Sequence, residues 1–255
     1  ADFIKVAPGA EAGAVAGLAL TAKSVILVGE RASESAGLFS AVAALSAKTG
    51  AKIAYIPRRA GERGALEAGA LGTVLPGGRP ITDAAARVDI AAAWGVDSLP
   101  ATPGRTSTEI IDALASGDLD AVVVGGVDAH DLPHSRAAIE ALKKSFVVSL
   151  EIAPSSVTAV ADVVLPVAAI TEKSGSFLNW EGRARAFDSA VADSHNRSDV
   201  RILSMLADAL GNPISLGTVT SSAREFNQLG SWDGTRVQLA PVAAGTAKSV
   251  SGNDA

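Results

Sequence analysis

The 255-residue chain contains no cysteine. That excludes disulfides, thiolate zinc sites and cysteine-ligated iron–sulfur clusters within it. Basic residues are outnumbered, and a net charge of −5 argues against nucleic acid as a partner, since phosphate binding needs a basic face. Long apolar runs are missing too. The segment from Ala10 to Leu20 is too short and glycine-rich to cross a bilayer, so direct membrane insertion is not expected. No positively charged start leads into an apolar segment, so no secretory signal is visible. The chain begins at Ala1 rather than methionine, as expected of a fragment. Aromatic residues amount to only 4%, and internal repeats are absent.

Nucleophile chemistry also lacks its parts. Serines are plentiful, but no G-x-S-x-G elbow occurs, and His130, His134 and His195 lie in loop-like sequence. Val28-Gly29-Glu30 and Val124-Gly125-Gly126 place glycines at strand ends, where doubly wound sheets bind ligands. Neither extends to G-x-G-x-x-G, so close packing is the favoured reading. Asp128, His130, Asp131 and His134 are metal-ligand residue types at a spacing that fits no zinc motif. A polar loop explains them more simply, with Asp131 or Ser135 capping the helix that starts at Ser135.

What is present is a chain 48% hydrophobic, long enough for one large domain or two small ones. Short apolar runs at Ser24–Val28, Lys52–Ile56, Leu119–Val124, Phe146–Leu150 and Val163–Leu165 read as strands. Helical patterns separate most of them: one from Ser33 or Ser35 to Lys48, Thr82–Trp94, Ser107–Ala115, Ser135–Lys144 and a short Ser155–Ala161. Continuous apolar strands alternating with helices predict a mostly parallel, doubly wound, Rossmann-like α/β sheet covered on both faces. A helix over Asp199–Leu210 capped by Ser198, and a weaker one over Ser221–Leu229, follow. The expected organisation is a linker at 1–20, an α/β domain at 21–190, a helical extension at 191–232 and a flexible tail at 233–255.

The densest stretch is Thr171–Phe187, TEKSGSFLNWEGRARAF. It carries Glu172, Lys173, Glu181, Arg183 and Arg185, with Asn179, Trp180 and the turn-permitting Gly175 and Gly182. The pattern predicts a tight turn or irregular hairpin, with Phe177, Asn179 and Glu181 on one face where the chain is extended. Glu172 and Glu181 are expected to pair with Lys173, Arg183 or Arg185, because ionic groups in such a loop need partners. A second patch, Arg58, Arg59 and Arg63, suits either an anion or ion pairing with Glu62, Glu67 or a neighbouring protein, and pairing is favoured.

ADVVLP followed by EKSGSFLNWEGR resembles the end of the large α/β domain of the molybdopterin oxidoreductase superfamily. With PRRAGERGALEAGAL at Pro57–Leu71 and VVVGGVDAHDLP at Val122–Pro133, the chain is similar to one branch of it. That branch comprises the large iron–sulfur subunits of respiratory complex I, NADH–quinone oxidoreductase. The resemblance implies a parent with 4Fe-4S and 2Fe-2S clusters on a cysteine-rich N-terminal region, and no cofactor in these residues. It implies a scaffold without catalytic residues or metal, among the other peripheral-arm subunits on the cytoplasmic face of the plasma membrane. Two alternatives stand beside it: a piece of a formate dehydrogenase or nitrate reductase touching the pterin through Thr171–Arg185, or a free-standing module binding an anion at Arg58–Arg63.

Overall fold

A computed structural model describes residues 2–132, 134–179, 181–191, 194–214, 217–235 and 241–244. The chain divides into two compact units. Unit one holds Ala1–Arg63, Leu178–Arg183 and Arg236–Ala255, and unit two holds Gly64–Phe177 and Ala184–Thr235. The parallel strands are correspondingly distributed between two sheets.

Unit one is built from α1 (Glu11–Ala16), β1 (Val25–Gly29), α2 (Leu38–Thr49) and β2 (Lys52–Ile56). The strands β1 and β2 pair in parallel, Val25 with Lys52 through Gly29 with Ile56. The expected serine cap of α2 is replaced by Gly37. Residues Glu30–Glu34 form a 3-10 turn, so Ser33 Oγ donates to Glu30 O and Ser35 Oγ donates to Glu11 Oε2, each at 2.8 Å. Both hydroxyls are therefore engaged away from the helix start. Coverage also differs from expectation. Val28 is buried, whereas Leu27 on the opposite face is 70% exposed, so the apolar run is not enclosed on both sides. Residues 241–244, placed by the sequence in the tail, include Val242, whose N–H donates to Ser40 Oγ at 2.9 Å. Residues 245–255 lie outside the described ones.

The chain passes from unit one to unit two within α3 (Glu62–Glu67). Unit two then carries β3 (Val74–Leu75), β4 (Arg79–Pro80), α4 (Ala84–Trp94), α5 (Ser107–Ser116), β5 (Ala121–Gly125), α6 (Ser135–Leu142), β6 (Phe146–Glu151) and β7 (Val163–Pro166). A hairpin of β8 (Gly175–Leu178) and β9 (Ala184–Phe187) follows, then α7 (Asp199–Ala209) and α8 (Val219–Leu229). Sheet order is β5-β6-β7, all parallel. Leu114, Ala129, Ala141, Leu142, Val147 and Val157 make the core between this sheet and α5 and α6. Each buried Val or Leu there contributes about 1.5–3 kcal/mol.

Local chemistry sets the helix ends. Asp83 caps α4 by accepting from Ala86 N at 3.0 Å, as its position predicts. Thr106 and Glu109 form a reciprocal capping box on α5, and Gly117 ends it. The start of α6 departs from expectation, because His134 at φ 57° precedes it and no side chain caps it. Residues 155–161 are successive turns rather than a helix. Ser155 N–H donates to Thr158 Oγ1 at 2.7 Å and Thr158 N–H to Ser155 Oγ at 3.2 Å, the reciprocal pattern of a helix start, but the turn is not continued into a helix.

Arg79, which the sequence does not single out, ties several elements of unit two together. It is only 6% exposed. Its Nη1 donates to Pro76 O at 3.0 Å and Gly230 O at 2.9 Å, its Nη2 to Leu229 O at 2.9 Å, and its Nε to Asp89 Oδ2 at 3.3 Å. The guanidinium also lies 5.7 Å from the Trp232 ring centre. The last carbonyls of a helix lack internal partners, and Arg79 supplies them for α8. Arg79→Ala is expected to destabilise unit two by about 3 kcal/mol, since it removes charge-assisted bonds to buried carbonyls. Amide exchange would show lost protection across α8 with β5, β6 and β7 retaining theirs; unchanged protection in α8 would refute this role.

Candidate functional site

The stretch from Thr171 to Phe187 divides between the two units, and each part is built differently. In unit two, a 3-10 turn at Ile170–Glu172 sets the carboxylate of Glu172. That carboxylate accepts from Ala169 N and Ser194 Oγ, each at 2.8 Å, and from Asn196 Nδ2 at 3.0 and 3.1 Å. The backbone N–H of Ala169, then Asn196 and Ser194, hold its pKa below the ordinary carboxylate value. Its partners are thus neutral donors rather than the cations expected of it. A carboxylate whose oxygens already accept four hydrogen bonds is poorly placed to act as a general base.

Lys173 pairs with Asp199, the first residue of α7. This ion pair and the Glu172 cluster fasten the loop to the chain that follows it. Ala190 N and Val191 N both donate to Thr171 O, at 2.8 and 3.0 Å. Between these groups lies a cavity of about 340 Å³ lined by Glu172, Lys173, Ser189 and Ser194. In the hairpin stem, the rings of Phe177 and Phe187 stack with centroids 5.0 Å apart. Gly175 sits beneath them: a Cβ there would stand 2.7 Å from Phe187 Cζ, so the glycine is required by close approach, not by its backbone angle. Arg185 donates to the neighbouring Ala184 O at 3.1 Å, and among the described residues it pairs with no carboxylate.

In unit one, residues 179–183 make the hairpin tip. The strand ends at Leu178, so Asn179 and Glu181 do not continue an extended face with Phe177. Asn179 Oδ1 instead accepts from Glu181 N at 3.0 Å and Arg183 N at 2.9 Å, folding the tip around one side chain. Gly182 has φ 80° there, the left-handed region that a Cβ disfavours. Arg183 Nη2 meets Glu181 Oε1 at 3.4 Å, among the described residues the one expected ion pair of this loop that forms. Trp180 lies outside the described residues. Arg63 Nη2 stands 3.8 Å from where a Gly182 Cβ would be, so the second arginine patch and the tip adjoin. Arg58 and Arg59 are exposed, and among the described residues no ion pair reaches either.

The strand-end loops are also occupied by internal bonds. Asp128 Oδ1 accepts from Ser156 Oγ and from His130 N and Nδ1, the latter two at 3.0 Å. The Ser156 hydroxyl, then His130, lower the Asp128 pKa to about 2. Ser156 Oγ accepts in turn from Ala129 N at 2.8 Å, so the loop after β5 is braced by the 155–158 turns. Among the described residues no group of three His, Asp or Glu converges on one point. At the carboxyl end of β1, unit one has a crevice of about 580 Å³ whose charged lining is Glu11, Glu34 and Arg31. Ser194, Asn196, Asp199 and Ser156 carried no site signal in the sequence, because the carboxylate or ammonium each one meets lies 22 to 28 residues away.

A family model described as molybdopterin oxidoreductase matches residues 12–209. The G-type subunit of the NADH-quinone oxidoreductase of Streptomyces coelicolor is 50% identical over 233 residues, covering 89% of this chain and 28% of that protein. The protein of the same name from Mycobacterium bovis is 46% identical over 254 residues, covering 95% of this chain and 32% of that protein. A nitrate reductase of Symbiobacterium thermophilum is 33% identical over 182 residues, or 69% of this chain. The chain therefore spans about a third or less of the curated relatives it matches, 28% and 32% of the first two.

The depressed carboxylates fix an acid limb. A carboxyl whose folded pKa is lowered stabilises the fold above its unfolded pKa, and that contribution is lost as pH falls through the folded pKa. For Asp128 the window runs from its ordinary 3.8 down to about 2, and for Glu172 it opens below 4.5. Acid titration of Asp128→Asn and Glu172→Gln should show a flatter loss of stability than the parent chain over that range; parallel curves would contradict the assignment. Gly175→Ala is expected to cost about 1–3 kcal/mol by overpacking against Phe187. Adding Phe187→Leu should recover part of the melting temperature, and no recovery would sink the close-approach account.

Proposed function

The chain belongs to the molybdopterin oxidoreductase family, as its match over residues 12–209 shows, and from that membership we propose that it is a scaffold segment of the large iron–sulfur subunit of a proton-pumping NADH–quinone oxidoreductase. In this reading it orders the cluster-bearing region and the neighbouring peripheral-arm subunits, so that electron-transfer distances from NADH to quinone hold. It performs no redox step of its own and works at the cytoplasmic face of the membrane through the complex. The carrying observation is identity of 50% and 46%, across 89% and 95% of the chain, to two proteins that share the name of the G-type NADH-quinone oxidoreductase subunit. The nitrate reductase and formate dehydrogenase relatives reach only 33% and 31%, over 69% and 60% of it.

The residues support a holding role. Iron–sulfur clusters need thiolates, and with no cysteine these residues do not fit one. A pterin nucleotide fits no better in the crevice of unit one, where Glu11 and Glu34 would face its phosphates against a single Arg31. The 4Fe-4S and 2Fe-2S clusters of the parent are assigned to another part of it. Among the described residues no helix is long and apolar enough to cross a membrane. What the site offers is a locked loop with cations at its surface. Glu172 and Lys173 fasten the base, Gly175 sets the stem, and Asn179, Glu181, Gly182 and Arg183 shape the tip. In unit one Arg58, Arg59 and Arg63 are offered to partner subunits as a second patch; Arg185 of unit two and Trp180 are assigned to partner contact from the sequence.

Arg58→Glu with Arg59→Glu tests this, since exposed substitutions of that kind change fold stability by no more than about 0.5 kcal/mol. In membranes of a host depending on the complete complex, the pair should lower assembled complex and NADH–quinone activity together. The melting temperature of the purified 255-residue variant should stay unchanged. Normal assembly would remove the patch from the interface. Stoichiometric molybdenum or a fluorescent oxidised pterin in the purified chain would overturn the scaffold reading itself.

A further inference from the structure

Unit two contains a cavity of about 760 Å³ that the scaffold role leaves unused. Its walls come from the end of α4, the loop after α7 and one face of α8, and include Trp94, Val96, Pro213, Ile214, Glu225 and Phe226. The volume lies within the range of small-molecule sites, about 300–1,000 Å³. Trp94, Val96 and Ile214 are 43%, 44% and 46% exposed, so the apolar wall is open to solvent rather than closed into core. No residue of α8 is fully buried. Among the described residues, Glu225 is the one ionisable group of the lining. Its Oε1 accepts from Trp94 Nε1 at 3.1 Å, which fixes both the carboxylate and the indole.

Two aromatic rings and a carboxylate in one apolar cavity are the elements with which proteins recognise organic cations. Ring faces attract a positive charge, the carboxylate pairs with it, and the walls take up its hydrocarbon part. An anion would meet Glu225 unpaired, and a purely apolar ligand would leave the carboxylate desolvated without compensation. We propose that this cavity is a binding site for a hydrophobic cation, an alkyl or aryl group carrying an ammonium or guanidinium. Glu225 and Trp94 select the charge, and Val96, Pro213, Ile214 and Phe226 enclose the apolar part. None of its lining residues belongs to the hairpin.

The test is titration calorimetry of the 255-residue chain with phenethyltrimethylammonium, phenethyl alcohol and 3-phenylpropionate as matched cationic, neutral and anionic probes. The cation should bind saturably, at least about tenfold more tightly than the alcohol, with no measurable binding of the anion. Glu225→Gln should remove that preference while the melting temperature holds, and Trp94→Leu should weaken the cation more than the alcohol. Added salt should weaken the cation alone, because a partly exposed ion pair is screened. Equal affinity for cation and alcohol, or a preference that survives Glu225→Gln, would overturn the proposal, as would no saturation at millimolar cation. If Glu225→Gln unfolds, the salt dependence and Trp94→Leu still decide it. Binding by a basic, apolar peptide but not by phenethyltrimethylammonium would transfer the surface to a protein partner and reject the small-ligand assignment.

Discussion

A guanidinium enclosed in protein needs acceptors for its donors, and in unit two Arg79 finds two of its four on the unpaired end of a helix. The carbonyls of Leu229 and Gly230 would otherwise have to reach water, and the charge of Arg79 would otherwise be desolvated without return. Each need answers the other. Because Pro76 O and Asp89 accept from the same side chain, the turn after β3, α4 and the end of α8 are referred to one group. The wall positions of the apolar cavity inherit that arrangement, since Pro76 and Leu229 line it beside Trp94 and Glu225.

Elsewhere the chain uses charge in two contrasting ways. Carboxylates close on nearby hydrogen-bond donors of the chain itself: Glu172 on Ala169, Ser194 and Asn196, and Asp128 on Ser156 and His130. Such groups are held ionised, and their proton chemistry is spent on structure. Arg58 and Arg59 project outward instead, where they cost little to the fold and remain able to meet another surface. The carboxylates are thus fixed by bonds within the chain, while these two arginines are left to the surface. The lone carboxylate of the α4–α8 cavity is different, because its surroundings are aromatic and aliphatic.

The site is partly legible in the sequence. Gly182 and Asn179 announce a turn, since only a few residue types tolerate or stabilise the angles that it needs. Gly175 stands out in the sequence for its backbone freedom, yet the ring of Phe187 is what leaves no room for a side chain. Lys173 has glutamates nearby in the chain and pairs with Asp199 instead. Spacing along a loop does not fix which charges meet once the loop folds back.

The amino-acid sequence by itself determined what is local or compositional. Lack of cysteine rules out thiolate ligation, apolar runs between helical patterns specify parallel strands, and Asp83 and Gly117 mark helix ends by residue type. Only the tertiary structure decided which strands share a sheet, which strand faces stay uncovered, and that Arg79, Ser194, Asn196 and Glu225 matter. Those outcomes depend on groups as far as 151 positions apart in the chain. A hydrogen bond or a cavity wall is fixed by distance in space, and no pattern along the backbone encodes it.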